Sequence, residues 1–106
     1  MIRRIQNIIN RAEVSEKAIE AYLVKRAKEH GIVCLKYSNA TATGYPDRLI
    51  CLRGGCVAWV EIKSRGKKPT KLQNLRHNEL ARLGHTVRVV SSKEEVDGLI
   101  TELTNY

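Results

Sequence analysis

Apolar residues near the start of the chain follow the spacing of an amphipathic helix. Ile19, Leu23 and Ala27 recur every four residues between positions 16 and 29, so that they share one face of a helix. Ser15, just before this segment, is a residue type that commonly caps a helix N-terminus. The pattern predicts a first helix over residues 16–29.

Two apolar runs in the middle of the chain predict a β-hairpin. Residues 48–52 and 56–63 are rich in apolar and β-branched residues, and an Arg-Gly-Gly segment at 53–55 separates them. Short runs of this composition split by glycines are typical of paired antiparallel strands. Asp47 stands where the first run begins, and Glu61 and Lys63 stand where the second run ends, so the hairpin brings these charges to one edge.

The register of this hairpin decides which charged side chains meet. Side chains alternate between the faces of a strand, so Glu61 and Lys63 point the same way. Asp47 joins them if residues 53–55 form a three-residue loop. A turn made by the two glycines alone would pair Asp47 with Ile62 and separate the acids across the sheet. We expect the three-residue loop.

The remaining apolar segments predict two more strands and two more helices. Residues 32–37 suit the interior of a sheet, and residues 86–90 form the last strand. A helix from Pro69 or Thr70 has a leucine stripe expected to be buried: Leu72, Leu75, Leu80 and Leu83. A final helix follows Ser92, which forms a capping-box signature with Glu95; its apolar stripe is Val96, Leu99, Ile100 and Leu103.

The resulting order is α-β-β-β-α-β-α, which predicts an α/β domain. The first three strands suit an antiparallel meander, and a helical crossover returns the chain to a fourth strand parallel to a neighbour. The fold class is therefore a mixed central sheet with helices on its faces.

Residues 1–14 precede the first predicted helix and form a possible N-terminal helix or dimer arm. Ile2, Ile5, Ile8 and Ile9 lie at helical spacing, and a small domain has limited room to bury four isoleucines. Either a helix folded back on the core or a homodimer contact would cover them.

Length and charge narrow the class of protein. The 106 residues suit one domain, and 19 Lys and Arg against 11 Asp and Glu give a net charge of +8. This balance favours a polyanionic partner, although basic ribosomal-type or membrane-surface proteins share it. No apolar segment approaches the length of a membrane span, and no signal peptide is visible. We expect a cytoplasmic protein that makes no use of a membrane.

The predicted hairpin edge has the chemistry of phosphodiester hydrolysis. Paired carboxylates such as Asp47 and Glu61 bind a hard divalent cation, which keeps waters and accepts phosphate oxygens. The cation polarises the phosphoryl group and lowers the pKa of a bound water. A lysine such as Lys63 orients or deprotonates that water, or offsets charge on the phosphate. A solvated ion pair at the rim is the alternative, but charges within an apolar strand are costly without a function.

The motifs together resemble a known nuclease family. The segment Gly44-Tyr45-Pro46-Asp47, then Glu61-Ile62-Lys63, then Gln73 in a basic helix is similar to the VRR-NUC family of the PD-(D/E)xK nuclease superfamily. The likeness covers roughly residues 16–90. A domain this short resembles the stand-alone viral and bacterial members, which places it in the cytoplasm of a bacterial host if it is viral.

The resemblance implies a restriction-endonuclease-like fold and a Mg²⁺- or Mn²⁺-dependent DNA endonuclease that leaves a 5′-phosphate. Asp47, Glu61 and the Ile62 carbonyl would bind metal, and Lys63 would act on the water. A glutamate of the first helix would add a ligand, for which Glu20 is our choice and Glu16 the alternate. Gln73 would hydrogen-bond a phosphate or the attacking water.

The basic residues and the resemblance together imply a DNA substrate. The expected phosphate contacts lie in the loop after the hairpin and in the next helix: Arg65, Lys67, Lys68, Lys71 and Arg76. His77 is expected to face solvent. Viral-type members act as homodimers on branched DNA such as Holliday junctions, since a two-fold dimer offers two symmetric sites. The rivals are a non-catalytic nucleic-acid-binding module and a sequence-specific restriction-type nuclease.

Overall fold

The computed structural model describes residues 15–105, which form one four-stranded sheet with helices on both faces. Its elements are α1 (Glu16–Glu29), β1 (Val33–Lys36), β2 (Arg48–Cys51), a 3₁₀ turn (Arg53–Gly55), β3 (Val57–Ile62), α2 (Lys71–Arg82), β4 (Thr86–Val90) and α3 (Lys93–Thr104). The predicted order of elements is confirmed. The isoleucines expected to form an N-terminal helix or dimer arm lie outside the described residues.

The sheet has the order β1-β2-β3-β4 and is mixed, as predicted. The pairs β1–β2 and β2–β3 are antiparallel, whereas β4 lies parallel to β3 after the crossover through α2. Strand β3 is therefore an inner strand with a neighbour on each side. No helix among residues 15–105 has the length and apolar character needed to cross a membrane.

The hairpin adopts the register that brings the acids together. Arg48 pairs with Val60, so the next residues outward, Asp47 and Glu61, stand opposite each other. The loop between the strands is the three-residue segment Arg53–Gly55. Its two glycines have φ angles of 74° and 76°, a region that side chains with a Cβ rarely occupy. The expected three-residue loop is confirmed.

Helices α1 and α3 pack on one face of the sheet and form the core with it. Both predicted stripes are buried, together with the facing side chains of β2, β3 and β4: Ile19, Leu23, Ala27, Ile50, Ala58, Val60, Ile62, Val90, Val96, Leu99, Ile100 and Leu103. The predicted N-caps also form, with Ser15 Oγ accepting from Ala18 N and Ser92 Oγ accepting from Glu95 N. Because strand side chains alternate, Asp47 and Glu61 project from the other face.

Helix α2 covers that other face, and its orientation corrects the predicted leucine stripe. Leu80 is buried, but Leu72, Leu75 and Leu83 are 40%, 54% and 73% exposed. The face turned inward instead carries Gln73, His77 and Leu80, which are spaced by four and three residues. The prediction was wrong because it assigned the inner face by hydrophobicity alone, whereas the sheet beneath α2 presents a carboxyl group that needs a polar partner.

Strand β1 also differs from its predicted position. It forms an edge of the sheet rather than its interior, and Val33 and Leu35 are 52% and 48% exposed. An apolar, β-branched composition suits both an edge and an inner strand, so the sequence could not separate the two.

The loop before β2 is fixed to α2 by a close backbone approach at Gly44. This residue has a φ angle of 93°, and a Cβ added there would lie 2.7 Å from Leu72 Cγ. Next to it, Arg76 Nε donates to the carbonyl oxygen of Thr43 at 3.0 Å. These contacts position the chain that leads directly into Asp47.

We expect Gly44→Ala to lower the free energy of unfolding by about 2–4 kcal/mol, since it adds steric overlap to an unfavourable backbone angle. Gly66→Ala is the matched control, because Gly66 has a φ angle of 84° and nothing within 4 Å of the added Cβ. Urea unfolding followed by circular dichroism measures both. Equal losses of stability in the two variants would show that the Leu72 side chain moves aside without a measurable cost.

Candidate active site

Two carboxyl groups meet where β2 begins and β3 ends. Asp47 Oδ2 accepts a hydrogen bond from the backbone N–H of Ile62 at 2.9 Å, which fixes this side chain across the hairpin. Glu61 lies beside it and is only 1% exposed. The predicted pair therefore forms, and one of its members is enclosed by protein.

The surroundings of Glu61 favour its protonated form. Burial has the largest effect, and a hydrogen bond with Asp47 and the charge of that residue add to it, while the charge of Lys63 acts in the opposite direction. Together they raise the pKa of Glu61 to about 8. In the absence of a cation, Glu61 therefore holds a proton at neutral pH.

His77 of α2 is the third group at this site, which corrects the expectation that it faces solvent. Its Nε2 lies 3.1 Å from Glu61 Oε1, and its side chain is 11% exposed. Burial lowers the pKa of His77. The contacts are satisfied when Glu61 donates its proton to Asp47 and a neutral His77 donates from Nε2 to Oε1.

Lys63 and Ile62 complete the end of β3. The backbone N–H of Lys63 donates to the Val90 carbonyl at 2.9 Å, which continues the parallel pairing beyond the strand. The Lys63 charge acts on the pKa values of both Glu61 and His77, so its ammonium lies near them. The Ile62 side chain is buried in the core on the other face, and only its backbone reaches the site.

Gln73 faces the same cleft as Asp47. The two residues line a cavity of about 260 Å³ together with Tyr37, Tyr45 and the loop between them. Gln73 also completes a capping box, in which its Oε1 accepts from the backbone N–H of Thr70 at 2.9 Å. Its amide NH₂ is then the group that it can offer to a ligand.

The two glutamates considered in the first helix have different surroundings. Glu20 Oε2 accepts from Arg48 Nε at 2.8 Å, and both side chains are largely buried. Glu16, one turn earlier, is exposed, and its charge contributes to the raised pKa of Glu61. The effect of Glu16 on Glu61 is the smallest of those acting on this carboxyl, and Glu20 is engaged by Arg48.

The predicted phosphate contacts separate into two groups. Lys67, Lys68 and Lys71 are exposed on the loop after β3 and at the start of α2. Arg65 is exposed as well, but it borders a polar depression with the N-terminal residues of α3. Arg76 binds the loop before β2 and lies 4.8 Å over the Tyr45 ring, so its guanidinium is largely engaged within the protein.

An aromatic cluster lies beside the acids and was not predicted from the sequence. The Tyr37 and Trp59 rings are 5.1 Å apart and nearly perpendicular, and Tyr45 lies 6.2 Å from each. Strand alternation could have revealed part of it, because Trp59 and Glu61 are two residues apart and share a face. Tyr37 and Tyr45 of this cluster line the cavity beside Asp47.

The site offers two side-chain carboxyl groups to a cation, Asp47 and Glu61. Among residues 15–105, no three His, Cys, Asp or Glu side chains are arranged to hold a metal ion between them. Magnesium needs fewer protein ligands, since it commonly binds one or two carboxylates and takes waters and phosphate oxygens for the rest. Asp47 and Glu61, side by side at the ends of β2 and β3, fit that requirement.

A search with protein-family models gives no match to this sequence. A curated relative is 37% identical over 81 residues, which are 76% of this chain and 87% of the relative. It is a protein of Acyrthosiphon pisum secondary endosymbiont phage 1 that is named "Putative nuclease p44".

Solved structures share the fold. One described as "VRR_NUC domain" superposes with a TM-score of 0.76 at 32% identity, covering 81% of this chain and 94% of the other. A second, described as "VRR_NUC domain protein", has a TM-score of 0.69 at 20% identity and covers 88% and 90%. The expected restriction-endonuclease-like fold is confirmed.

The proton held by Glu61 predicts a pH dependence of stability in metal-free protein. Between pH 7 and pH 8, folded Glu61 holds a proton that the unfolded chain, with an ordinary pKa of 4.5, has lost. Because the folded state binds more protons, its stability falls as the pH rises. One proton corresponds to at most about 1.4 kcal/mol per pH unit, so we expect a loss of about 1 kcal/mol from Glu61.

Urea unfolding in EDTA at the two pH values measures this loss. Glu61→Gln should abolish it, whereas Glu94→Gln, which removes an exposed acid of α3, should retain it. Equal pH dependence in wild type and Glu61→Gln would mean that Glu61 is ionised in the folded protein.

Proposed function

The chain belongs to the VRR-NUC family, and from that premise we propose that it is a divalent-metal-dependent endonuclease that hydrolyses phosphodiester bonds in DNA. The observation that carries the proposal is the buried Glu61 carboxyl paired with Asp47, with the Lys63 ammonium nearby. Burying a carboxyl group is costly to a fold, and groups perturbed in this way are concentrated at functional sites. The phage relative named as a nuclease supports the same activity.

Each residue of the site has a role in this reaction. Asp47 and Glu61 would hold Mg²⁺ or Mn²⁺, with the Ile62 carbonyl as a further oxygen donor. When bound, the cation supplies Lewis-acid polarisation of the phosphoryl group and of the attacking water. Lys63 orients that water or offsets the charge that develops on the phosphate, and the product keeps a 5′-phosphate.

For the ligand from the first helix we now favour Glu16. Its charge acts on Glu61, whereas Glu20 forms an ion pair with Arg48 that joins α1 to β2. Withdrawing Glu20 from that pair would leave a largely buried guanidinium without a carboxylate. Glu16 needs no such rearrangement.

The surface around the acids suits a nucleic-acid backbone. Lys67, Lys68 and Lys71 offer exposed positive charge for phosphates. The cavity beside Asp47 gives Gln73 access to the same backbone. Arg65 completes the exposed basic set, while Arg76 acts mainly by holding the loop that leads into Asp47.

A non-catalytic binding module accounts less well for this site. The basic residues alone would bind a polyanion, and acids facing the phosphates would only weaken that binding. Glu61 also carries the cost of burial. A module selected for affinity gains nothing from either feature, whereas a metal-dependent hydrolase needs both carboxylates.

We expect Asp47→Asn and Glu61→Gln to abolish cleavage while DNA binding stays the same or tightens. Asp47→Asn removes a negative charge that faces phosphates, Glu61→Gln removes a carboxylate that would bind the cation, and both keep the shape of the side chain. Cleavage of labelled DNA in Mg²⁺ or Mn²⁺ and binding in Ca²⁺ or EDTA measure the two effects. Wild-type rates in either variant would remove that residue from the site.

Lys63→Ala should lower the cleavage rate about 100-fold or more, with little change in binding, because it removes a group that acts in the reaction. Lys25→Ala removes the same charge from an exposed position of α1 and should change neither. A parallel loss of rate and binding in Lys63→Ala would make this lysine a simple phosphate contact.

For the substrate, we propose branched DNA cut by a homodimer. One domain of this size offers one active site, whereas resolving a four-way junction takes two symmetric cuts, which a two-fold dimer supplies. The isoleucines of residues 1–14 are the candidate contact. The exposed leucines of α2, of which Leu75 is 54% accessible, are a second candidate surface for the dimer contact.

Replacing Ile5 and Ile9 together by Asp should weaken the dimer and reduce paired cutting of four-way junctions more than nicking of linear DNA. Leu75→Asp adds a charge to the other apolar surface and should leave both unchanged. Light scattering at roughly tens of micromolar detects even a weak dimer. A monomeric wild type would overturn the dimer, and loss of the dimer only in Leu75→Asp would assign the contact to α2.

A further inference from the structure

His77 contacts Glu61 within the site, and this contact has no role in the reaction described above. The distance from His77 Nε2 to Glu61 Oε1 is 3.1 Å, and the two side chains are 11% and 1% exposed. The contact is therefore nearly closed to water. Since Asp47 engages Glu61 as well, the Glu61 carboxyl is held between two protein groups.

Neighbouring residues of α2 hold His77 in this position. Leu80, one turn further along α2, is 6% exposed, and Gln73, one turn before, is fixed by the capping box with Thr70. The helix thus has an anchor on each side of His77. The imidazole is therefore held against the face of the sheet that carries Glu61.

A buried hydrogen bond of this kind does more than satisfy a polar group. Replacing both partners with apolar side chains would stabilise the fold as well or better, so stability alone does not explain the pair. Carboxylates that bind metals are commonly fixed by a hydrogen bond from a neighbouring side chain, which selects one orientation of the carboxylate. His77 is the neighbouring side chain placed to do this for Glu61.

We propose that His77 is a positioning residue, whose Nε2–H bond to Oε1 holds Glu61 in the orientation that binds the divalent cation. The inference rests on the proposed metal-dependent function. Partners of this type typically contribute about 10- to 100-fold to metal affinity. His77 contacts neither the metal nor the phosphate in this role, so its effect should appear in metal binding more than in the turnover of the metal-saturated enzyme.

Two nearly isosteric substitutions separate the hydrogen bond from the packing. His77→Gln keeps an N–H donor close to the position of Nε2, while His77→Met fills a similar volume without a donor. Isothermal titration of each variant with Mn²⁺, at the same pH and without DNA, gives the affinity. We expect Met to weaken Mn²⁺ binding about 10- to 100-fold and Gln to restore it to within a few-fold of wild type.

Activity supplies a second measurement. In His77→Met, the Mn²⁺ concentration for half-maximal cleavage should rise by the same factor, while the rate at saturating Mn²⁺ recovers to within a few-fold. His30→Met is the matched control, because His30 is exposed at the end of α1 and outside the site. Should His77→Met fail to fold in urea titration, His77→Asn replaces it, since its amide is one methylene too short.

The outcomes separate this proposal from the broader one. If wild type binds Mn²⁺ and His77→Met binds it equally well, the positioning role is overturned while the nuclease assignment stands. If Gln weakens binding as much as Met, the imidazole acts by packing and the proposal fails too. If wild type neither binds Mn²⁺ nor cleaves DNA in its presence, the metal-dependent function itself is wrong, and this role falls with it.

Discussion

The buried carboxyl of Glu61 is the constraint around which the site face of the sheet is built. A carboxyl that is 1% exposed in an inner strand requires hydrogen-bond partners, and the fold supplies them from two directions. The hairpin register brings Asp47 opposite it, and α2 turns a histidine toward it instead of a leucine. The exposed leucines of α2 follow from this choice, because a helix that presents its polar side to the sheet leaves its apolar side outside.

Much of this architecture could be predicted because its signals are local. The helical stripes of α1 and α3 pack on the apolar face of the sheet, where hydrophobicity alone decides orientation. The hairpin register followed from the length of a glycine-containing loop and the two-residue period of a strand. Asp47, Glu61 and Lys63 could therefore be grouped before any tertiary contact was known.

What could not be predicted depends on contacts between distant segments. Whether Glu16 or Glu20 approaches the site is set by how α1 crosses the sheet, and the Arg48 partner of Glu20 is 28 residues away. The inner face of α2 is set by Glu61 rather than by its own sequence, so periodicity selected the leucines and missed His77. The edge position of β1 likewise depends on which strand pairs with β3 on its far side, and that strand, β4, comes after the crossover.

The protonation of Glu61 also shows how the fold tolerates two carboxyl groups that lie so close together. Two carboxylates this close cannot both be ionised at low cost, and the proton held by Glu61 relieves the repulsion. A divalent cation would relieve it in the same place and with more charge. Proton and cation therefore compete for one pair of oxygen-bearing groups, already oriented by the hairpin and by α2. Because hydrogen bonds from the hairpin and from α2 already hold Asp47 and Glu61 in place, little of the binding energy would be spent on ordering these two groups.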